Sequence, residues 1–307
     1  MPKNLRTYAL PITMVAGALL HDVADKMAGV TPFLLFLMLL VSYCKLDVTK
    51  LRITPMYAWM LFAQLALSWG VYGLVALWNP IVAQGAFISL FCPTATSAPV
   101  IAAMLGGNLS LLVGYSLVCN MAVALLAPLF FSIIGAQDSI PFVDSVMIIC
   151  RQVLPLLLLP LLLSLIFRRY VPWLFNAVRK RQDISFYLWT VALFIVVGRS
   201  VNFVMEQPAS YLLVEIALAV VALLCCVIQF ALGRRIGERY GDRVSGAQGL
   251  GQKNTVLAIW MALTYLHPIA SIAPASYVVW QNIINSAQLI HKDKKRDNEI
   301  DSNVQAH

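Results

Sequence analysis

Long apolar runs follow one another through almost the whole chain, separated by short polar stretches. Hydrophobic residues make up 60% of the sequence and charged residues 12%, whereas an ordinary soluble domain has about 45–50% and about 25%. A helix needs about 20 apolar residues to cross the roughly 30 Å hydrocarbon layer of a bilayer. The runs lie near residues 6–20, 29–44, 55–78, 81–105, 109–134, 142–167, 184–200, 209–232, 244–265 and 270–290. The sequence therefore predicts an all-α polytopic membrane protein with ten transmembrane helices in a lipid bilayer.

The basic residues predict which ends of these spans face the cytoplasm. All but four of the 22 Lys and Arg residues lie before the first span or after the second, sixth, eighth and tenth. With ten spans these positions share one side, which the positive-inside rule makes cytoplasmic. We therefore expect both termini in the cytoplasm and the chain in a plasma membrane, such as a bacterial inner membrane. The same distribution argues against binding of nucleic acid, and the polar tail 291–307 is expected to be disordered.

Two of the predicted spans are interrupted in the middle. The fourth contains CPTATSAPV, where Pro93 and Pro99 break the helix because proline lacks an N–H donor and clashes with the preceding turn. The ninth contains SGAQGLGQKNT, where three glycines weaken the helix. Side chains that can cap a restarting half-helix stand in both gaps: Thr94, Thr96, Ser97, Asn254 and Thr255.

The interrupted spans occupy matching positions, fourth in the first five and fourth in the last five. Because five is odd, two such halves enter the membrane from opposite sides. Matched interruptions in inverted halves indicate a transporter site near the bilayer midplane, although Pro and Gly also occur in ordinary kinked membrane helices. A complete five-helix repeat requires the first run as a retained helix, although Lys3 and Arg6 before it also resemble the start of a signal peptide.

These stretches, together with others in the same order, resemble the bile acid:sodium symporter family. CPTATSAPV resembles that family's CPGGTASNV, GQKNTVLA resembles GMQNSGLA, and VVWQNIINS resembles the VWHNLSG of its last helix. FLLFLMLLVSYCKLDVTKL and LFAQLALSWGVYGL, the latter with Gln64, look like its second and third helices. The resemblance implies an inverted-repeat transporter of organic anions, from steroid conjugates to small carboxylates, usually taken up with sodium.

The resemblance also implies a division of the chain into two units. Residues 1–52 and 142–200 would form a panel of helices 1, 2, 6 and 7. Residues 53–141 and 201–290 would form a core of helices 3–5 and 8–10, in which the broken helices 4 and 9 cross. Half-helix N-termini at that crossing would present N–H groups to an anion. The implied substrate-binding residues are Thr94, Thr96, Ser97, Asn254, Thr255, Gln281 and Asn282.

The sodium ligands of the family do not carry over to this chain. Its Ser-Asn in helix 4 is Ala98-Pro99 here, its Ser-Thr in helix 5 is Cys119-Asn120, its glutamate in helix 9 falls on Gly249 or Gln248, and a glutamine is replaced by Lys253. Sodium requires oxygen ligands. An added ammonium about 4 Å from the ion would repel it by about 4 kcal/mol at an effective dielectric constant of about 20. At least one sodium site is therefore expected to be lost.

We hypothesise that the ammonium of Lys253 takes the place of a sodium ion. The ion-site or coupling residues would be Lys253, Gln64, Gln248, Gln252, Cys119 and Asn120, with Gln64, Gln252 and nearby carbonyls holding the ammonium. Coupling would then be to protons or absent, and no metal or other cofactor is expected. Two alternatives stay open: Lys253 binds the substrate anion directly, or it is a solvated charge facing the cytoplasm.

Other functions are weighed against sodium-independent transport of an organic anion. A conventional sodium-coupled symporter is the first alternative. An arsenite effluxer of related architecture would carry a cysteine near Cys92. It would also carry a glutamate in helix 9, where this chain has none. A channel or sensor is a further alternative, and an enzyme is disfavoured because the spans contain no Asp-rich or Ser–His motif. Substrate, direction and oligomeric state are left open, and the six cysteines are expected to be small buried hydrophobic residues.

Overall fold

The computed structural model describes residues 12–44, 53–95, 97–135, 141–206 and 208–305. In these ranges the regular structure is helical, which confirms the predicted all-α class. In chain order the helices are α1 (12–19), α2 (His21–Lys26), α3 (Thr31–Tyr43), α4 (Pro55–Ala76), α5 (Pro80–Phe91), α6 (Ala98–Leu105), α7 (Leu109–Ile134), α8 (Phe142–Tyr170), α9 (Pro172–Lys180), α10 (Gln182–Met205), α11 (Leu212–Arg239), α12 (Arg243–Gly251), α13 (Thr255–Tyr265) and α14 (Ile272–Gln305). Short 3₁₀ turns at Ala28–Val30, Ala209–Tyr211 and Pro268–Ser271 precede α3, α11 and α14.

Several helices are long and apolar enough to cross a membrane. Among the described residues, four helices meet both conditions: α4, α7, α8 and α11. Shorter apolar helices accompany them at Ala28–Tyr43, Pro80–Phe91, Tyr187–Phe203 and Thr255–Tyr265. This composition of long and short apolar helices is that of a helical membrane protein.

The exterior is far more apolar than that of a soluble protein, and polar side chains are buried within the apolar core. Large apolar side chains stand exposed on the outside, among them Trp59, Phe62, Leu125 and Ile216. The interior, by contrast, contains buried polar side chains, including Gln64, Thr94, Asn120, Gln229, Gln248, Gln252, Lys253, Asn254, Gln281 and Asn285. Lipid tails can surround the apolar exterior, whereas water could not do so over such an area without promoting aggregation. The fold is therefore that of a membrane protein whose interior contains several polar side chains.

Capping side chains fix the short connections around the first interrupted span. Asn79 Oδ1 accepts the N–H groups of Ile81 and Val82 at 2.9 and 3.1 Å and so starts α5. Asn108 Oδ1 accepts the N–H of Leu111 at 3.1 Å and starts α7. Such caps satisfy backbone donors that a helix leaves free at its start. The turns at either end of the α5–α6 segment are thus set by local sequence.

Glycines bring α11 and α12 into backbone contact. Gly233 and Gly237 stand one turn apart on α11, and both face Gly246 of α12. A Cβ atom built on Gly246 would meet the carbonyl oxygen of Gly233 and, at 2.7 Å, the Cα of Gly237. Small residues allow helices to approach this closely in membranes. The contact anchors α12 against a long helix and so places the interruption that follows it.

The polar tail differs from its prediction. The sequence predicts disorder at 291–307, whereas α14 continues to Gln305. The stretch 291–305 contains neither Gly nor Pro, so no strong helix breaker interrupts the helix that begins at Ile272.

Candidate functional site

Both predicted interruptions are present, and they touch each other. The first separates α5 from α6 and the second separates α12 from α13. The two segments run antiparallel where Thr94 pairs with Lys253. We call the described residues of these segments, 92–95, 97 and 252–254, the crossing. Thr96, a predicted substrate-binding residue, lies outside the described residues.

Main-chain hydrogen bonds hold the crossing together. The N–H of Ala95 donates to the carbonyl oxygen of Gln252 at 2.9 Å, and the N–H of Asn254 donates to the carbonyl oxygen of Pro93 at 2.8 Å. A buried backbone group without a partner costs about 1–3 kcal/mol, and lipid supplies no partner. Each segment therefore satisfies backbone groups that the other segment's broken helix leaves free.

Two hydroxyl groups bind the last turn of α12. Thr94 Oγ1 donates to the carbonyl oxygen of Gly249 at 2.7 Å. From α14, the hydroxyl of Tyr277 donates to the carbonyl oxygen of Gly251, also at 2.7 Å. The last carbonyls of a helix have no partner within it, so these hydroxyls take that role. Thr94, predicted to bind substrate, therefore has its hydroxyl proton engaged within the protein.

Gln64 of α4 supports the end of α5. Its Nε2 donates to the carbonyl oxygens of Phe91 and Cys92 at 2.7 and 3.3 Å. Its Oε1 accepts from the hydroxyl of Tyr115 at 3.3 Å and from the thiol of Cys119 at 3.5 Å. The structure thus brings Gln64 and Cys119 together beside the crossing, as the sequence predicts. The amide is already engaged on both sides, and its role is to bind the broken helix end.

Lys253 is buried at the centre of the crossing. Its side chain is 1% exposed, and its Nζ has no hydrogen-bond partner among the described residues. The thiol of Cys92 donates to the carbonyl oxygen of the next residue, Asn254, at 3.0 Å. The burial excludes the alternative of a solvated charge facing the cytoplasm. The absence of bonds to Nζ within the described residues also corrects the expectation that Gln64 and Gln252 hold the ammonium.

Two further amides brace the crossing from its sides. Gln252 Nε2 donates to the hydroxyl of Ser97 at 3.1 Å, which ties the two segments together. Gln281 Oε1 on α14 accepts the main-chain N–H of Lys253 at 2.9 Å. Both glutamines and Ser97 were predicted site residues, and the structure places all three at the crossing. Gln281 satisfies a backbone donor that no helix could satisfy at this position.

The start of α13 is capped from within the chain. Asn254 Oδ1 accepts the N–H of Leu257 at 3.3 Å, and the N–H of Thr255 donates to the carbonyl oxygen of Lys253 at 2.9 Å. The sequence predicts that N–H groups at this helix start face an anion. In the structure these two N–H groups are engaged, while the side-chain nitrogen of Asn254 is buried without a partner in the described residues.

Gln248 and its neighbour lie beside the crossing and not within it. Gln248 Nε2 donates to Asn285 Oδ1 and Gln288 Oε1, both at 3.0 Å, so the side chain faces α14. A Cβ atom on Gly249 would meet Met60 of α4. Neither position offers a carboxylate, and a side chain at Gly249 would require the side chain of Met60 to move.

Two predicted residues are directed at their own helices. Asn120 Nδ2 donates to the carbonyl oxygen of Ser116 at 2.6 Å, one turn back along α7. Asn282 Nδ2 donates in the same way to the carbonyl oxygen of Val278 on α14 at 2.6 Å. The structure does not bring these two amides into contact with the crossing, although Asn120 is buried nearby on the same helix as Cys119.

Sequence reasoning missed the two tyrosines. Tyr115 and Tyr277 are fully buried and hydrogen bonded around the crossing. Each lies in an apolar run, where aromatic residues are ordinary. The sequence places the hydroxyl groups of both tyrosines inside predicted spans. Because a polar group there needs a hydrogen-bond partner, each could have been predicted to lie near other polar residues.

The helices around the crossing contain a basic residue and no acidic one. Residues 53–135 and 243–292, which include α4–α7 and α12–α13, contain no Asp or Glu. Among the described residues, Lys253 is the one buried side chain that ordinarily carries a charge.

A comparison of the chain with models of protein families and with curated proteins finds no match.

Replacing Gln281 by leucine is expected to destabilise the protein by about 1–3 kcal/mol, because the N–H of Lys253 would lose its partner in a buried site. The measurement is the melting temperature of the purified protein in detergent. Asn282→Leu is the matched control, since the neighbouring amide bonds only to its own helix, and we expect a change within about 0.5 kcal/mol. Equal effects of the two changes would contradict the assigned role of Gln281.

Proposed function

We propose that this protein is a secondary active transporter of a small organic anion that works by alternating access without sodium. The observation that carries the proposal is the pair of interrupted helices bound to each other, with the side chain of Lys253 buried at their contact and without a hydrogen-bond partner among the described residues. Interrupted helices that meet inside a membrane protein are typical of secondary transporters, whose substrate sites they form. Irregular backbone at membrane depth is tolerated where it lies within protein or beside a cavity.

The proposed architecture is two inverted repeats of five helices, ten in all, with both termini in the cytoplasm of a plasma membrane. Residues 53–141 and 201–290 are the proposed core, and residues 1–52 and 142–200 the panel. In support, Gln64 of α4 and Gln281 of α14, both in the proposed core, hydrogen bond to the main chain of the crossing. A core that carries its own site can move against a panel as a unit.

The proposed independence from sodium follows from the groups around Lys253. Sodium requires oxygen ligands, and the buried side chain of Lys253 offers a nitrogen in place of an oxygen. The side-chain oxygen of Gln64 already accepts from Tyr115 and Cys119, and positions 248 and 249, a glutamine and a glycine, supply no carboxylate. Proton coupling, or no ion coupling, therefore fits the site better than a conventional sodium symport.

The test uses the purified protein in detergent and in liposomes. We expect the melting temperature to be the same in sodium, potassium and choline salts, because a ligand stabilises a protein only by binding to its folded state. In liposomes we expect counterflow of radiolabelled organic anions, drawn from steroid conjugates and small carboxylates, without sodium on either side. Stabilisation specific to sodium would indicate a conventional symporter, and passive flux without counterflow would indicate a channel.

A further inference from the structure

The ammonium of Lys253 lacks a counter-ion within the described chain. Its Nζ is buried and has no hydrogen-bond partner among the described residues, and the nearest acidic residues on the two sides in the sequence are Asp242 and Asp293, which lie 11 and 40 positions away. Asp242 is engaged at the start of α12, where it accepts the N–H groups of Asn108 and Ser245. An unpaired buried charge is costly. The amine must therefore either bind an anion that comes from outside the chain or give up its proton.

A second unused donor lies next to Lys253 in the chain. Asn254 Nδ2 is buried and without a partner among the described residues, and the capping bond of Oδ1 to Leu257 fixes which side-chain atom is the nitrogen. A carboxylate accepts hydrogen bonds and donates none, so it suits unused donors. Gln252 Oε1 is an unused acceptor at the same place, but it is neutral and cannot balance the charge.

The other titratable groups around the crossing are thiols and phenols. Cys92 belongs to the crossing, where its thiol donates to the carbonyl oxygen of Asn254, and Cys119 of α7 donates to Gln64 beside it. The next are Tyr43 on α3, Tyr57 on α4, Tyr115 on α7, Cys226 on α11 and Tyr277 on α14. Arg199 on α10 faces Asp25 at 3.8 Å, and α6 carries no titratable residue. Thiols and phenols are ordinarily uncharged at neutral pH, which leaves Lys253 as the proton-binding group.

We infer that Lys253 is the anion-binding group and that one monovalent anion enters the site together with one proton. This inference rests on the function proposed above and specifies its substrate class and coupling. In the empty site the amine is neutral. When an anion enters, a proton from the aqueous phase binds to the lone pair of Nζ and forms an ammonium–anion pair of zero net charge. Both leave on the other side, so a cycle moves no net charge, and a divalent anion is disfavoured.

The test measures anion binding by the full chain in detergent, separately from transport. The probes are choline salts of acetate, benzoate and cholate, with acetamide, benzamide and cholamide as uncharged analogues and succinate and phthalate as divalent ones. We expect at least one monovalent probe to raise the melting temperature by about 5 °C at saturation. A pH-indicator dye in weak buffer should report about one proton taken up per anion bound. The uncharged and divalent analogues should have neither effect.

Three variants separate charge from proton binding. Lys253→Met should lose both the stabilisation by anions and the proton uptake. Lys253→Arg keeps a charge that cannot be removed, so it should bind the anion without taking up a proton. Arg234→Met removes an exposed charge on α11 and should behave as the wild type. If Lys253→Arg does not fold, the comparison of wild type with Lys253→Met decides the question.

Three results would overturn the inference: no monovalent probe stabilises the wild type, anions stabilise Lys253→Met as strongly as the wild type, or binding takes up no proton. Each can occur while counterflow in liposomes persists, and the proposed transport function would then stand without this mechanism. Conversely, anion binding that depends on Lys253 in a protein without counterflow would overturn the transport function alone.

Discussion

Gly246→Val is expected to destabilise the protein by at least about 3 kcal/mol, because the valine side chain would have to occupy space filled by the backbone of α11. A Cβ atom at this position meets the carbonyl oxygen of Gly233 and lies 2.8 Å from the backbone nitrogen of Gly237. Neither contact can be relieved by rotating a side chain, so the two helices must separate. The measurement is the melting temperature and the yield of folded protein in detergent.

Gly73→Ala supplies the matched control for that change. Gly73 lies within α4, and a Cβ atom added there has no neighbour within 4 Å. Alanine loses less conformational entropy than glycine when the chain folds into a helix. We therefore expect the stability to be unchanged or to increase by up to about 1 kcal/mol. If Gly246→Val melted at the same temperature as Gly73→Ala, the close contact between α11 and α12 would be wrong.

Lys253→Met is expected to stabilise the substrate-free protein by about 1–4 kcal/mol and, at the same time, to reduce anion uptake by about 10- to 100-fold. Methionine fills a similar volume without an ammonium group that lacks a partner in the described interior. The loss of uptake corresponds to the loss of one charge-assisted hydrogen bond to the anion. The gain in stability should grow as the pH falls, because methionine removes the cost of protonating a buried amine.

The check on Lys253→Met compares melting temperatures in buffers without carboxylates with uptake into liposomes. Lys292→Met is the matched control, because Lys292 is exposed and donates to the carbonyl oxygen of Met104 at the end of α6 at 2.9 Å. We expect that variant to lose no more than about 1 kcal/mol and to retain uptake. A destabilised Lys253→Met would mean that the ammonium has a native counter-ion.

Helix positions were predictable from the sequence because apolar runs and helix breakers act locally. The run near 55–78 corresponds to α4, which ends at Ala76, and the run near 109–134 corresponds to α7. Pro93 breaks a helix for a reason that needs no tertiary context. The glycines of the second interruption, by contrast, lie within α12, which ends at Gly251. The structure of the basic segment after the sixth span was harder to predict. The sequence suggests only a connection between two spans there, whereas the structure contains the helix α9.

The hydrogen-bond partners at the crossing could not be predicted in the same way. Gln64 lies 27 positions before Phe91, and Tyr277 lies 26 positions after Gly251. Such pairings depend on how helices rotate and pack, which a single sequence does not specify. The role of Gln64 was accordingly predicted as support for an ammonium, whereas it binds the end of α5. The sequence did favour a buried position for Lys253, because no other basic residue lies within nine positions of it and a lysine at the cytoplasmic surface usually lies in a basic cluster.

The bonds that join the crossing have a consequence for how such a protein can change over time. Two of them run between main-chain atoms, from Ala95 to Gln252 and from Asn254 to Pro93. A main-chain hydrogen bond does not depend on which side chain the residue carries, except that proline has no N–H group to donate. Side chains at the crossing can therefore be exchanged while its geometry persists. A scaffold of this kind can acquire or lose an ion site by single substitutions, so the energy source of a carrier can diverge faster than its fold.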